Sequence, residues 1–381
     1  MTDAVRVLIA PDKFKGSLTA VDVARHVAAG LRRSADAAGK PLDIAALPVA
    51  DGGDGTVDAA VAAGFERREL RVTGPTGAPV TAAYALRGGT AVVEMAEASG
   101  LRRLPGGVPA PLTATTYGTG ELVRAALDAG ARTLVLGIGG SATTDGGAGM
   151  LGALGARLLD ASGAPVRPGG AALAGLATAD LSGLDPRLRS VDLVLASDVD
   201  NPLTGPAGAA AVYGPQKGAG ADDVALLDSA LAHYAAVLDG GALAGAAGAG
   251  AAGGLGYGAL AGLGAVFRPG IEVMLDVLGF AGALAGADLV ITGEGSLDAQ
   301  TLRGKAPAGV AAAARERGVP VVAVCGRLAL SAEELSAAGI ERAYALTSLE
   351  PDLSRCVALA GPLLERVAER IAERIAEDRL R

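Results

Sequence analysis

Short apolar segments recur along the chain, and within them apolar and polar residues do not alternate. Such segments are typical of parallel strands that are buried on both faces of a sheet. The pattern predicts strands at residues 5–10, 42–49, 133–138, 191–197, 288–293, 319–326 and 342–348.

Helical patterns follow many of these strands. The segment 19–33 carries a single apolar stripe, formed by Val21, Ala24, Val27, Ala28 and Leu31. Thr19 precedes it, and Asp22 follows three residues later, as in a capping box. Because strands and helices alternate, the chain is predicted to be an α/β protein with an open parallel sheet.

The order of the patterns predicts two domains. Residues 1–65 and 286–381 are expected to form one discontinuous α/β domain. Residues 66–285 are expected to form a second α/β domain inserted in it. Residues 66–116 have the pattern of two antiparallel strands rich in turns. The Ala/Gly tract 239–266 is consistent with a mobile loop, a second glycine-rich ligand loop or a flexible linker.

The composition excludes some classes of protein and some kinds of partner. The 381 residues carry a net charge of −8 and 50% hydrophobic residues, which disfavours nucleic acid as a partner and excludes disorder. The N-terminus lacks the features of a secretory signal, and no apolar segment is suited to span a membrane. Cys325 and Cys356 have no metal or redox spacing, so a cytoplasmic protein is expected.

The strongest local signal is "GIGGSATTDGGAGM" at residues 137–150, directly after a predicted strand. Glycine permits positive φ angles and close approach of a ligand to the main chain, and amides in such a loop can bind phosphate. The residues predicted to contact phosphate or nucleotide are Gly139, Gly140, Ser141, Thr143, Thr144 and Asp145. A plain strand-to-helix turn is the alternative.

Charged residues follow several other predicted strands, and strand ends line the ligand crevice of open α/β sheets. Lys13 and Lys15 precede a helix and are predicted to be catalytic through their charge, and Asp51 and Asp54 are predicted to hold Mg²⁺. Phosphoryl transfer uses such positive charges together with a metal. The alternatives are solvated lysines and ordinary Asp-Gly turns.

Phosphoryl transfer to an alcohol also needs a proton acceptor. Asp198 ends the segment "VDLVLAS" and is the predicted base, and an ordinary helix cap is not expected there. A turn-stabilising role is the alternative, in which case Asp51, Asp54 or Asp298 would be the base.

Other catalytic classes have weaker support. The sequence contains no Walker A motif and no G-x-S-x-G elbow, and His26 and His233 lie in predicted helices among apolar residues. "GIGGSA" with Asp160 downstream resembles a dinucleotide-binding fingerprint, although the helix begins too late. An NAD(P)-dependent oxidoreductase and a nucleotide-binding sensor are therefore the alternatives to a kinase.

The ordered motifs identify a known family. They are "APDKFKGSL", "ADGGDGT", "EMAEASGL", "TTYGTGEL", "GIGGSATTDGGAGM", "SDVDNPLTG", "GPQKGA" and "TGEGSLDAQTLRGKAP". Together they resemble bacterial glycerate kinases of the first type, from residue 10 to about residue 310, and the C-terminal elements fit as well.

The resemblance implies an ATP-dependent kinase that phosphorylates D-glycerate, with 2-phosphoglycerate favoured over 3-phosphoglycerate. It implies a flavodoxin-like domain interrupted by a second α/β domain, with phosphoryl transfer in an interdomain cleft. The substrate carboxylate needs a cationic partner, for which Lys217, Arg303, Lys305 and Lys13 are candidates. ATP and Mg²⁺ are the expected cofactors, and a monomer or homodimer is expected.

Overall fold

The computed structural model describes residues 4–378, apart from the side chains of Arg303 and Asp378. The chain separates into two compact units. The first unit comprises Met1–Asp51, Asp58–Ala63 and Ile271–Arg381, and the second comprises Gly52–Val57 and Gly64–Gly270.

Seven of the strands in the described residues lie at the seven predicted apolar segments, and the others were not among those segments. In chain order they are β1 (Val5–Pro11), β2 (Leu42–Ala46), β3 (Glu66–Thr73), β4 (Pro79–Arg87), β5 (Thr90–Glu94), β6 (Thr133–Gly137), β7 (Arg157–Asp160), β8 (Leu176–Asp180), β9 (Asp192–Ala196), β10 (Val266–Arg268), β11 (Leu289–Leu297), β12 (Val321–Leu328) and β13 (Arg342–Ala345).

The α-helices connect these strands. In chain order they are α1 (Ala20–Ala37), α2 (Thr56–Ala62), α3 (Met95–Ser99), α4 (Tyr117–Asp128), α5 (Ala148–Ala153), α6 (Ala209–Tyr213), α7 (Ala221–Asp239), α8 (Ala251–Leu263), α9 (Gly270–Leu278), α10 (Phe280–Leu284), α11 (Ala306–Glu316), α12 (Ala332–Ala337), α13 (Leu353–Ala358) and α14 (Ala360–Asp378). None of them, within the described residues, is long and apolar enough to cross a membrane.

The first unit is built on a five-stranded parallel sheet with the order β13-β12-β11-β1-β2. Numbered within the unit, this is the order 2-1-3-4-5 of flavodoxin-like folds. Four residues of the predicted stripe in α1 (Ala24, Val27, Ala28 and Leu31) pack with α14 on this sheet. Val21 was wrongly included in the stripe, because it is 40% exposed and the neighbouring Val23 is buried instead. The side chain of Thr19 accepts a hydrogen bond from the N–H of Asp22, as its capping pattern predicted. The order in which strands are added to the sheet reverses between β1 and β11. Folds of this type bind ligands at such a topological switch point.

The second unit contains a six-stranded mixed sheet with the order β10-β9-β6-β5-β4-β3, in which β10, β9, β6 and β5 are parallel. The prediction of two strands in residues 66–116 was incomplete. The segment forms β3, β4 and β5, and then α3. The apolar residues of β5 are almost fully buried because this strand lies between β4 and β6 in the interior of the sheet.

The Ala/Gly tract divides into two parts, of which the first, residues 240–247, is a series of turns with exposed and half-buried residues. Its second half forms α8, and residues 253–259 are all buried. Small residues allow the backbone of this helix to approach its neighbours closely, so the composition serves packing rather than mobility. Composition alone could not distinguish these outcomes.

Candidate active site

The first unit has a buried carboxylate at its topological switch point, between β1 and β11. Asp12 directly follows β1, its N–H donates to the carbonyl of Gly293 in β11 (2.8 Å), and the residue is 6% exposed. Its Oδ1 accepts from the N–H of Lys13 (2.7 Å) and lies 3.5 Å from the Lys13 ammonium. Burial raises the pKa of Asp12 to about 7, against the charge of Lys13, and the carboxylates of Asp51 and Glu294 add to the rise.

A second buried carboxylate, Glu294, lies in β11. The hydroxyl of Thr301 donates to its Oε1, and the ammonium of Lys305 lies 3.8 Å from its Oε2. Burial raises the pKa of Glu294, while the hydrogen bond from Thr301 and the charge of Lys305 oppose the rise. Asp298, an alternative base, instead orders its own turn by accepting from the N–H of Gln300 (2.9 Å).

The predicted cations of this unit differ in exposure. Lys13 is half-buried, whereas Lys15 is exposed in the tight turn where the N–H of Leu18 donates to the carbonyl of Phe14 (3.0 Å). Lys305 is half-buried at the N-terminus of α11. Lys13 and Lys305 therefore both lie beside buried carboxylates, while the side chain of Arg303 is outside the described part of the structure.

The second unit holds the glycine loop, residues 138–147, between β6 and α5. Gly140 has a φ of 71°, a left-handed conformation that glycine adopts without strain. Gly139 and Gly140 are the accessible part of the loop, and Ser141 is 7% exposed. The N–H of Gly139 donates to the carbonyl of Gly52 (3.2 Å), and a Cβ at Gly140 would overlap the carboxylate of Asp54. The loop therefore exposes backbone beside an acidic side chain.

The remaining predicted phosphate contacts are buried. Thr143, Thr144 and Asp145 are at most 1% exposed, and within the described residues neither threonine hydroxyl has a hydrogen-bond partner. The carboxylate of Asp145 accepts from the N–H groups of Gly147 and Gly149 (3.2 Å each) and from the N–H and hydroxyl of Thr116. Burial raises the pKa of Asp145 against these hydrogen bonds. Contact of these three residues with phosphate stays a prediction, and their burial favours a supporting role.

Lys217 is also buried, at 1% exposure, although sequence reasoning placed it at the substrate. Its ammonium donates to the carbonyl of Thr143 at 2.5 Å. Burial lowers the pKa of Lys217 to about 7, and the charge of Asp145 opposes this shift. Its binding of substrate stays a prediction, and the geometry shows a contact with the glycine loop instead.

Helix α8 packs directly on the same loop. A Cβ at Gly253 would overlap the carbonyl of Thr143, and the N–H of Gly146 donates to the carbonyl of Gly253 (3.0 Å). Gly253 and Gly254 have φ angles of 67° and 86°, and Ala252 before them has a φ of 53°, which is uncommon for alanine. The glycines of the tract therefore support the loop from within the unit.

Asp198 is exposed at the end of β9, and it has a role that sequence reasoning did not expect. Its Oδ1 accepts from the N–H of Gly270 (2.8 Å), the first residue of α9. Asp198 is therefore not the ordinary cap of a helix that follows it in sequence, and the helix that it contacts begins far along the chain. Its function as the base stays a prediction.

The sequence patterns did not predict an ionic network that Glu94, Glu97, Arg102 and Arg103 form. Glu94 at the end of β5 is 1% exposed, and the guanidinium of Arg102 donates to it (2.9 Å). Arg102 and Arg103 both donate to the buried Glu97. Burial raises the pKa of Glu94 to about 7, while Arg102 opposes the rise. The residues stand in "EMAEASGLRR", but their burial could not be read from that pattern.

The histidines and cysteines have structural surroundings. His26 contacts the carboxylate of Glu365 (2.7 Å), and His233 contacts the carbonyl of Leu176 (2.6 Å). Both cysteines are buried and free, and burial raises the pKa of Cys325 to about 12, which keeps its thiol protonated.

Parallel sheets with charged residues at strand ends and a glycine loop before a helix are typical of α/β proteins that bind small phosphorylated ligands. The sequence model of the glycerate kinase family matches residues 7–376. This chain therefore belongs to the glycerate kinase family, as its motifs predicted.

Named relatives agree along nearly the whole chain. It is 48% identical to a glycerate kinase of Bacillus subtilis over 370 residues, which covers 96% of each chain. It is 42% identical to a glycerate 2-kinase of Escherichia coli K12, with 91% of each chain covered. A crystal structure described as a glycerate kinase 2 from Salmonella typhimurium LT2 superposes with a TM-score of 0.84 at 43% identity and covers all of both chains.

Membership of this family removes the support for the oxidoreductase alternative. Asp160, the acidic residue of the apparent dinucleotide fingerprint, is occupied in its own turn, where it accepts from Ser162 and from the N–H of Ala164 (3.1 Å). The protein is a glycerate kinase by family, and its fold is the mixed α/β architecture that the sequence predicted.

Proposed function

We propose that this protein transfers the γ-phosphoryl group of ATP to D-glycerate and forms 2-phosphoglycerate. The observation that carries the proposal is the similarity to a glycerate 2-kinase over 91% of both chains. The kinase class requires a phosphoryl donor, for which the exposed backbone of the glycine loop is suited.

In the second unit, we propose that phosphate contacts the loop at Gly139, Gly140 and Ser141. The two glycines are accessible, and the positive φ of Gly140 permits a close approach to the main chain. Thr143 and Thr144 are buried, and we propose that they support the loop. The hydroxyl of the substrate would lose its proton to Asp198, whose carboxylate is exposed at the end of β9.

In the first unit, we propose that Lys305 binds the carboxylate of D-glycerate and that Lys13 and Lys15 supply positive charge for transfer. Lys305 lies beside Glu294 and is 33% exposed at its side chain, so its ammonium can reach a ligand. Ammonium–carboxylate hydrogen bonds are stronger than neutral ones, which suits recognition of a small acid.

The carboxylates proposed to bind Mg²⁺ would do so only if phosphate oxygens completed its coordination shell. Within the described residues no group of three or more His, Cys, Asp or Glu side chains could hold a metal. Mg²⁺ commonly takes only one or two protein carboxylates and completes its shell with phosphate and water. We propose Asp54, which lies against Gly140, as such a ligand, and Asp51 stays a predicted one. Bound Mg²⁺ would neutralise phosphate charge.

We further propose that the two compact units are the two domains expected from the sequence. The first unit combines both ends of the chain, and the second consists mainly of the segment between them.

Phosphorus NMR of a reaction with ATP, Mg²⁺ and D-glycerate tests the function. We expect loss of ATP together with the resonance of 2-phosphoglycerate, identified by adding authentic 2- and 3-phosphoglycerate. Reactions without glycerate and with L-glycerate are the controls. Formation of 3-phosphoglycerate would contradict the regiochemistry, and absence of any phosphoglycerate would contradict the function.

A further inference from the structure

The carboxylate of Glu94 accepts hydrogen bonds from a second glycine-rich segment, residues 52–57. Its Oε2 accepts from the N–H groups of Gly55 (3.1 Å) and Val57 (3.3 Å), while its Oε1 accepts from Arg102 (2.9 Å). Both oxygens of a side chain that is 1% exposed are therefore engaged. A buried carboxylate with such partners holds the backbone that donates to it in one conformation.

Arg102 connects this carboxylate to a second buried one. Its Nη2 donates to Oε1 of Glu97 at 2.5 Å as well as to Glu94. Oε2 of Glu97 accepts from Arg103 (2.7 Å) and from the N–H of Ala83 in β4 (3.2 Å). Removal of Arg102 would take its charge away from the buried Glu94, while Glu97 would keep its pairing with Arg103. The guanidinium of Arg102 therefore links the positions of the two carboxylates.

The segment that carries Arg102 also pairs with the glycine loop. The N–H of Leu101 donates to the carbonyl of Gly140, and the N–H of Ala142 donates to the carbonyl of Ser99 (3.0 Å each). Arg102 thus follows directly after a residue that is bonded to the exposed part of the loop.

Residues 52–57 and the glycine loop are themselves in contact. The N–H of Gly139 donates to the carbonyl of Gly52 (3.2 Å), and a Cβ at Gly139 would overlap the backbone of Gly53. The two backbones meet with no room for a side chain. A small displacement of either segment would therefore move the other.

We propose that Arg102 is a positioning residue for phosphoryl transfer: by bridging Glu94 and Glu97 it holds residues 52–57 against the glycine loop. Arg102 acts through these carboxylates and not by contact with substrate. The inference rests on the proposed kinase function, because positioning has meaning only for a reaction that uses this loop.

Steady-state kinetics of Arg102→Ala tests the proposal. We expect kcat/KM for ATP to fall about 10- to 100-fold, as is usual when catalytic groups are displaced by about 1 Å. Arg102→Lys should recover part of this loss, because lysine keeps the charge but its ammonium differs from the guanidinium in reach and in hydrogen-bond geometry. Arg157→Ala is the matched control, since Arg157 pairs with Asp180 at an exposed site in the same unit.

Hydrogen exchange separates positioning from stability and from the proposed function. Peptides covering residues 52–57 and 139–142 should exchange faster in Arg102→Ala than in wild type or Arg157→Ala, with the rest of the unit unchanged. This measurement needs no activity, so it remains decisive if the wild type fails to phosphorylate glycerate. Unchanged exchange in both peptides would overturn the inference. So would an activity loss that only follows the fraction of unfolded protein in thermal melts.

If Arg102→Ala does not fold, the same two measurements on Arg102→Lys and Glu97→Gln decide the question. Faster exchange in both peptides together with a lower kcat/KM supports positioning. Normal kinetics in both folded variants overturns it.

Discussion

The switch point of the first unit, between β1 and β11, and the glycine loop of the second unit have similar sequence patterns but expose different groups. Each pattern is a strand end followed by glycine, acidic and polar residues. At the switch point the half-buried lysines 13 and 305 lie beside the buried carboxylates of Asp12 and Glu294. In the glycine loop, side chains such as Asp145 turn inward and bond to their own backbone, and the accessible surface is glycine.

Under the proposed function, the first region would bind its ligand through charged side chains, and the glycine loop would bind phosphate through its backbone. Conservative changes of charge at the switch point should alter substrate binding without altering the fold. Changes of size in the glycine loop should alter nucleotide binding through the main chain. The experiments below test this contrast.

Asp198→Asn has the largest expected effect. If Asp198 accepts the substrate proton, kcat should fall by about 10²- to 10⁴-fold with little change in either KM. Asparagine still caps a helix well, so thermal stability should be retained and the loss can be assigned to chemistry.

Asp200→Asn is the matched neighbouring control and should keep its activity. A near-native kcat in Asp198→Asn would reduce Asp198 to the cap of α9. Asp12→Asn should then be examined, because a base at Asp12 would place proton transfer among the side chains of the first unit.

Gly140→Val should lower kcat/KM for ATP by at least about 10²-fold, the loss expected when reacting groups are misplaced. A β-branched side chain disfavours the φ of 71° and would overlap Asp54. Gly152→Ala is the control, since nothing lies within 4 Å of a Cβ at that position. Normal ATP kinetics in a folded Gly140→Val protein would show that the loop is only a turn.

Lys305→Met should raise KM for D-glycerate about 10- to 100-fold, which corresponds to the loss of one charged hydrogen bond. KM for ATP should change much less. Lys40→Met, another half-buried lysine in the same unit, should leave both values unchanged. Equal increases in both KM values would argue against a specific contact with the substrate carboxylate.

Lys217→Met has the smallest expected effect, a pH-dependent change in Tm of a few degrees. Burial lowers the pKa of Lys217 from 10.5 to about 7, so between these values the unfolded chain holds a proton that the folded chain has lost. Wild-type stability should therefore gain with rising pH across this window, and the variant should lack that gain.

Differential scanning calorimetry at pH 7 and pH 9.5 measures this difference. The Tm of wild type minus that of Lys217→Met should increase between the two pH values. Lys15→Met, at an exposed position, should show no such trend. A constant difference would mean that Lys217 contributes only its hydrogen bond to Thr143.

Local pattern by itself determined seven of the strands, including all five of the first unit, and also the capped start of α1, the α/β class and the family. Short continuous apolar segments such as 133–138 are typical of strands in a sheet interior, and Thr19 and Asp22 interact across a single helical turn. The ordered motifs identify the family without any information on the three-dimensional structure. These features depend on neighbours in sequence, so they can be read from it.

Only the tertiary structure decided which polar residues are buried and which distant partners they meet. Lys217 bonds to Thr143, Asp198 caps α9, and Glu94 holds Gly55, although long stretches of chain separate each pair. The packing of α8 on the glycine loop is of the same kind. Desolvation and close packing depend on the whole surrounding fold. Residues of the same type therefore take different roles according to which distant segments of the chain pack against them.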